Sequence, residues 1–389
     1  MAKLNDLSSE DLVIEILSRL PVNSLMRFKC ARKSWCSLVR NPHFMAKHRK
    51  NHVRSASDNL CILVKHCCPR TDVKILSILT FDDRNNMQET RVDDYLLDKT
   101  GNFEIWGVCN GIICFGEGEL TIANPATRET KILPKSRVCL RPNGDDYRVR
   151  QLRAIGFGYD PKADDYKVVR VWADVPKNNK IHPFLRRAEV YTLSTDSWRE
   201  IDNFRIEVEI DNVAMMVYIL YVKFLERYWN GAYYWMGTAS DLENTWTVIV
   251  LFDMTYEVFR CIVMPQSCQG KVCLSLTELN GSLALVHPLE AGNSFDIWTM
   301  DEFGVNGTWT KPLRIGPLRD KPMPFLFVKS DELLMEDNGQ MVSYNLTTKQ
   351  IKKLPIYGDI IHFRTWIYEQ SLVNFSSQGK LSISSYNSI

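Results

Sequence analysis

One phrase recurs along most of this chain: an apolar strand-like run, a polar turn opened by Asn, Asp or Thr, and a second strand-like run. It reads LTIANPATRETKILP at 120–134, AEVYTLSTDSWREI at 188–201, VIVLFDMTYEVFRCIVMP at 248–265 and MVSYNLTTKQIKKLP at 341–355. A looser copy, FDIWTMDEFGVNGTWTKPL, lies at 295–313. A lone hairpin of this kind cannot cover its own apolar faces, so its repetition along a chain implies stacked copies. Aligning Asn124, Thr192, Asp253, Thr299 and Asn345 gives steps of 68, 61, 46 and 46 residues.

Repeats of about 40 to 50 residues with several strands each predict the four-stranded blades of a β-propeller, with inserted loops in the longer steps. The phrase is then the outer hairpin of a blade, and its Asn, Asp or Thr opens the turn by accepting backbone hydrogen bonds. Further short strands are expected at 61–65, 73–79, 103–108, 112–115 and 119–123, bounded by Gly, Asn and Asp.

Before residue 49 the pattern is helical instead. Leu12, Val13, Ile16, Leu17 and Leu20 recur at helical spacing but spread over more than one face of a short helix. Ser8 with Asp11 has the spacing of a helix start, and Pro21 ends this helix where the next can begin. Val22, Leu25, Met26, Phe28 and Cys30 mark a second helix, Ser34 to Val39 a third, and Asn41-Pro42 caps a fourth through Phe44 and Met45. Each buried large apolar side chain contributes about 1.5 to 3 kcal/mol, while each ordered residue costs about 1.5 kcal/mol of entropy. A unit this small ends near zero net stability and is expected to be completed by a partner. The basic stretch after Phe44 runs into Ser55-Ala56-Ser57-Asp58, which reads as a hinge. The expected division is a helical domain at 1–48, a linker at 49–59 and a strand-rich domain at 60–389.

The run Glu15-Ile16-Leu17, Arg19-Leu20-Pro21, Ser24 to Cys30 and Lys33-Ser34-Trp35 resembles the plant F-box, departing from it at Leu4-Asn5, where many members have Leu-Pro. The strand-rich part resembles the F-box-associated, kelch-like domain in Cys109 to Ile113, Asn124 to Arg128, Gly156 to Asp160 and Asp165 to Val169, in the family's usual order. The fold implied is multidomain and mainly β: a small all-α F-box followed by a kelch-like β-propeller. The resemblance implies a non-catalytic substrate-recognition subunit of an SCF-type E3 ubiquitin ligase. Its partners would be a Skp-type adaptor, through it cullin and RING subunits, and a protein substrate. Lys329 to Leu334 also resembles the S-locus F-box subgroup, which implies a secreted-type ribonuclease taken up into pollen as the target. An interaction scaffold with another target, such as a defence regulator, and a propeller enzyme are the alternative readings.

On this resemblance Leu12, Ile16, Leu17, Leu20, Pro21, Leu25 and Phe28 form the adaptor-facing or supporting apolar surface, and Trp35 belongs to the small domain's own core. Target contacts are expected on inserted loops at 136–150, 174–187, 202–211 and 264–271, because loops vary without disturbing blades. Asp145, Asp146, Glu207, Glu209 and Asp211 are the acidic residues there that would steer a basic target.

Charge agrees with two parts that prefer different partners. Residues 1–54 hold 11 Lys and Arg against 4 Asp and Glu, the remainder 37 against 42. The composition, 45% hydrophobic and 24% charged, is that of a globular chain. With no apolar run long enough to span a bilayer and no leader pattern at MAKLNDLSSEDLV, neither membrane insertion nor secretion is expected. Eleven scattered cysteines fit reduced thiols in the cytosol or nucleus.

Cys61, His66, Cys67 and Cys68 lack the spaced pairs of a structural zinc site, and His48 with His52 lacks the glutamate of a metalloprotease helix and reads as part of a solvated basic helix. The pairs Asp82-Asp83, Asp93-Asp94, Asp145-Asp146 and Asp164-Asp165 read as solvated turn carboxylates rather than acid and base. Gly156-Phe157-Gly158 lacks the third glycine and following helix of a phosphate cradle. The basic run at 40–54 carries no nucleic-acid reading motif. No cofactor, metal or catalytic constellation is expected.

Overall fold

The computed structural model describes residues 9–55, 61–68, 71, 73–81, 87–92, 103–116, 118–136, 148–176, 185–201, 206–210, 213–219, 226–240, 244–270, 275–289, 293–300, 308–358 and 363–375. Four helices come first: α1 (Ser9–Leu17), α2 (Val22–Phe28), α3 (Lys33–Val39) and α4 (Pro42–Ser55). Asn41 caps α4 as its position predicts, its Oδ1 accepting the N–H of His43 at 2.8 Å and of Phe44 at 3.4 Å. Helix α4 continues to Ser55, so helix occupies the first half of the stretch read as a linker. The capping position Ser8 and the rest of that hinge lie outside the described residues.

After α4 the regular elements of the described residues are strands, apart from one 3-10 turn. The first sheet contains β1 (Cys61–Cys67), β2 (Lys74–Phe81) and β3 (Met87–Arg91), and the second β4 (Ile105–Cys109), β5 (Ile112–Phe115), β6 (Thr121–Asn124) and β7 (Glu129–Ile132). The third has β8 (Arg148–Asp160), β9 (Asp165–Pro176), β10 (Leu185–Thr192) and β11 (Ser197–Glu200). Six strands make the fourth: β12 (Glu207–Ile210), β13 (Val213–Ile219), β14 (Glu226–Trp229), β15 (Ala232–Ser240), β16 (Thr245–Asp253) and β17 (Phe259–Val263). The fifth holds β18 (Ser275–Leu279), β19 (Ser282–Pro288), β20 (Phe295–Met300) and β21 (Trp309–Ile315). The sixth holds β22 (Met323–Lys329), β23 (Glu332–Asp337), β24 (Gln340–Asn345) and β25 (Ile351–Tyr357). A last strand, β26 (Arg364–Tyr368), joins the first sheet in the order β26-β1-β2-β3. These are six blades of a β-propeller.

Each copy of the recurring phrase is the hairpin of a sheet's last two strands: β6 with β7, β10 with β11, β16 with β17, β20 with β21 and β24 with β25. The side chains of Asn124, Asp253 and Asn345 accept the N–H groups two and three residues on. Four residues after each aligned start, Arg128, Asp196, Glu257 and Lys349 adopt φ of 60, 48, 55 and 58°. That pattern is a type I turn ending in a left-handed residue, which returns the strand in register. Thr299 differs. It stands inside β20 opposite Thr310, and the turn of that copy lies outside the described residues.

By contacts the chain divides into two compact units, one of Met1–Leu63, Ser77–Leu133 and Ile367–Ile389, the other of Val64–Leu76 and Pro134–Trp366. Within the second, strands bury both faces because sheets stack on each side. Tyr233 and Trp235 of β15 face Val169, Val171 and Val190, whereas Tyr234 and Met236 of the same strand face Leu276, Leu283 and Leu285. The alternation repeats at β19, where Ala284 and Val286 turn instead to Phe327, Leu333 and Met335. Within the first unit, α1–α4 gather Leu17, Val22, Leu25, Val39 and Phe44 into a small interior.

Candidate protein-interaction surfaces

The seven residues read as an adaptor surface separate by depth. Leu17 and Leu25 are interior, Leu25 at 0% exposure. Leu20 is half-buried and packs against that interior, while Pro21 is exposed. Leu12, Ile16 and Phe28 stand in solvent at 48%, 62% and 38% exposure, far from what such side chains do in a finished core. Val13, at 36%, joins them. It is three residues before Ile16, so the spacing that groups Leu12 with Ile16 also identified Val13. Trp35 is half-buried and meets the Phe28 ring edge-on, 5.7 Å between centroids.

Polar contacts fix α1 against α4. His48 is buried rather than solvated, and its ring Nε2–H donates to the Leu20 carbonyl at 2.9 Å. Asn51 donates to Ser18 Oγ at 2.8 Å, and Ser18 in turn donates to the Glu15 carbonyl at 3.1 Å. Hydrogen bonds from Lys47 and Arg19 hold the Glu15 carboxyl below its ordinary value.

The expected target loops fare differently. Glu207 and Glu209 are exposed, but on strand β12, whose alternate residues Val208 and Ile210 pack into the core, so this part of 202–211 is sheet and not loop. Strands likewise take up 148–150, 174–176 and 185–187, and Gln266–Cys268 forms a 3-10 turn. Asp145, Asp146 and Asp211 lie outside the described residues, as do Asp82-Asp83 and Asp93-Asp94.

The signature runs prove to be architectural. A Cβ at Gly156 would collide with the Tyr233 and Trp235 rings, and one at Gly158 with the Tyr228 ring. Glycine lets those aromatics lie on the backbone of β8, where Trp235 donates to the Ile155 carbonyl at 3.1 Å and Tyr228 to the Tyr159 carbonyl at 2.8 Å. Asp160 caps the β8–β9 turn and takes the ammonium of Lys167 at 2.7 Å; Lys167 also reaches Glu257 at 2.9 Å and the Met254 carbonyl at 2.7 Å. Burial works against each charge, yet the mutual bonds win, holding Asp160 and Glu257 below and Lys167 above their ordinary values.

Asp165 is buried, not a solvated turn carboxylate, and accepts the N–H groups of Tyr166 and Ser194. In the 329–334 run, Leu333 and Leu334 are buried, Asp331 accepts from Asn345 and Glu332 from Ser343.

His66, singled out beside Cys67 and Cys68, is buried and donates through Nδ1 to the Tyr357 carbonyl at 3.2 Å. Burial, reinforced by the Glu369 carboxylate, pushes the Cys61 thiol up, away from nucleophilic or ligating thiolate. Among the described residues no group of three or more His, Cys, Asp or Glu is placed to hold a metal, and no helix is long and apolar enough to cross a membrane.

Residues 66–371 match the model of the F-box-associated β-propeller domain. The chain belongs to this family. It is a plant F-box protein whose helices precede an F-box-associated propeller. It is 28% identical to an F-box/kelch-repeat protein of Arabidopsis thaliana over 86% of either chain. It is also 26% identical to the Arabidopsis thaliana F-box protein CPR1 over 89% of this chain and 84% of the relative.

Proposed function

We propose that this F-box protein is the substrate-recognition subunit of an SCF-type E3 ubiquitin ligase. It performs no chemistry itself. The helices bind a Skp-type adaptor, and through it cullin and RING subunits, while the propeller holds a protein target so that ubiquitin transfer becomes effectively intramolecular. The observation that carries this reading is the exposed apolar set Leu12, Val13, Ile16 and Phe28 on a module whose own interior is already filled. A basic module, 11 Lys and Arg against 4 Asp and Glu in residues 1–54, suits an acidic adaptor. The division into an adaptor-binding part before residue 49 and a target-binding part after residue 59 belongs to the same proposal, as does work in the cytosol or nucleus, where the nine described cysteines would remain the free thiols they are.

For the target we propose a basic protein, specifically a secreted-type ribonuclease, on the strength of the S-locus resemblance and of Glu207 and Glu209 exposed side by side on β12. The test is reconstitution with purified adaptor, cullin and RING subunits. Ubiquitination of a bound ribonuclease supports the reading. Adaptor capture by an Ile16→Asp chain at the unmodified level sinks it.

A further inference from the structure

The interior of the helical module is not closed by its own helices, nor does it wait on a second polypeptide. Leu372, from far along the chain, sits among Leu17, Val22, Leu25, Val39 and Phe44, with Ala126 of the β6–β7 turn packed alongside. The segment that delivers Leu372 is fastened to the β4–β7 sheet. The Asn124 amide donates to the carbonyls of Ser371 and Val373, both at 2.9 Å, while its oxygen accepts Ala126 and Thr127 N–H groups. Glu129 accepts the Phe375 N–H at 3.1 Å and is attracted by Lys29 and Arg40 of the helices. At Gly111, with φ 75°, a Cβ would collide with the Glu369 carbonyl oxygen and with Ser371. Leu372, Val373, Asn374 and Phe375 are all buried. A cavity of about 330 Å³ is lined by Val22, Met45 and His48 of the helices and by Ser371, Leu372 and Val373 of this segment, and of these last three it is Leu372 that also belongs to the helical interior.

We propose that residues 369–375 are a strap that belongs functionally to the adaptor-binding module, with Asn124 and Leu372 as positioning residues for α1 and α2. The proposal rests on the adaptor reading above. A module of marginal stability presents Leu12, Ile16 and Phe28 in a fixed arrangement only while the strap is seated, so apparent adaptor affinity scales with the seated fraction. Adaptor capture is thereby coupled to the integrity of the β4–β7 sheet.

The experiment uses the full chain, a purified Skp-type adaptor, and hydrogen exchange read separately on the helical peptides and on those of β18–β25. Leu372→Ala should weaken adaptor binding by roughly tenfold or more, by the loss of seated fraction. Leu372→Met should restore it. Asn124→Asp keeps the acceptor that its own turn needs but loses both donations to the strap, and should weaken binding by about threefold to tenfold. Exchange should rise in the helices and stay unchanged in β18–β25. Should Leu372→Ala also open β18–β25, Asn124→Asp decides the matter. Binding of both variants within about twofold of the unmodified chain, with helical protection intact, overturns the strap alone. No binding by the unmodified chain overturns the adaptor reading and the strap with it.

Discussion

The helices and the sheets of residues 134–366 meet the same requirement, burying apolar surface, in opposite ways. The sheets bury both faces of their inner strands: β15 covers one with Val169, Val171 and Val190 and the other with Leu276, Leu283 and Leu285. Charges that end up inside, such as Lys167 with Asp160 and Glu257, have partners there. Of the described residues in these sheets, the large apolar side chains left exposed, Tyr256, Val258, Ile351 and Tyr357, are divided between the β16–β17 turn and β25. The helices bury Leu17 and Leu25 but leave Leu12, Val13, Ile16 and Phe28 in water. Where a fold buries this much and still leaves three large apolar side chains within five residues of α1 and a fourth at the end of α2, the surface is suited to contact.

That contrast can be broken by experiment. The largest effect belongs to the buried charge. Lys167→Met takes the ammonium from buried Asp160, which keeps only the Thr255 hydroxyl and the Lys162 and Ala163 N–H groups, and leaves Glu257 to Arg199 alone. It should cost about 3 kcal/mol in urea unfolding followed by tryptophan fluorescence. A variant of unchanged stability would show that the network is idle. Next, Gly156→Ala forces a methyl into the Tyr233 and Trp235 rings and should cost about 1 to 3 kcal/mol by the same measurement.

Ile16→Asp should do the reverse of both: unfolding within about 0.5 kcal/mol of the unmodified chain, with adaptor binding weakened at least tenfold, about 1.4 kcal/mol. Equal losses in stability and binding would make Ile16 a core residue after all.

A smaller effect comes from pH. Asp160 and Glu257 sit below their ordinary values, so what they contribute is complete above the usual carboxylate range, near pH 4, and fades as pH falls through their lowered values. Lys167 sits above its ordinary value, so its share is complete below about pH 10 and fades as pH rises past it. The urea midpoint should form a plateau between these limits, and Lys167→Met should remove the alkaline shoulder and shrink the acid one, which Arg199 on Glu257 and the turn N–H groups on Asp160 still sustain. Smallest is Asn345→Ala, which removes acceptors from an exposed turn and should lower stability by about 1 kcal/mol.

How legible these features are in the sequence depends on the range of the forces that make them. The outer hairpins are readable because an Asn or Asp and the turn it organises lie within five residues of each other. The first sheet carries no such phrase at β2–β3, so its blade escapes a search for that signal. Periodicity marks Leu12, Ile16, Leu17 and Leu25 as apolar but does not sort outside from inside on helices of nine and seven residues, where tertiary neighbours decide. The acidic stretch of β12 looks like a loop because its inward residues, Val208 and Ile210, are only two. Asp165 and His48 look solvated because the backbone groups that hold them belong to distant or noncontiguous positions. Nothing local to Leu372 announces that it completes an interior assembled from residues 17 to 44.

That last placement has a consequence for synthesis. The helices leave the ribosome first, and the residue that finishes their interior follows more than 300 positions later. At roughly 5 to 20 residues per second the interval is on the order of 15 to 70 seconds. Throughout it the emerging helices lack the apolar side chain that completes their interior.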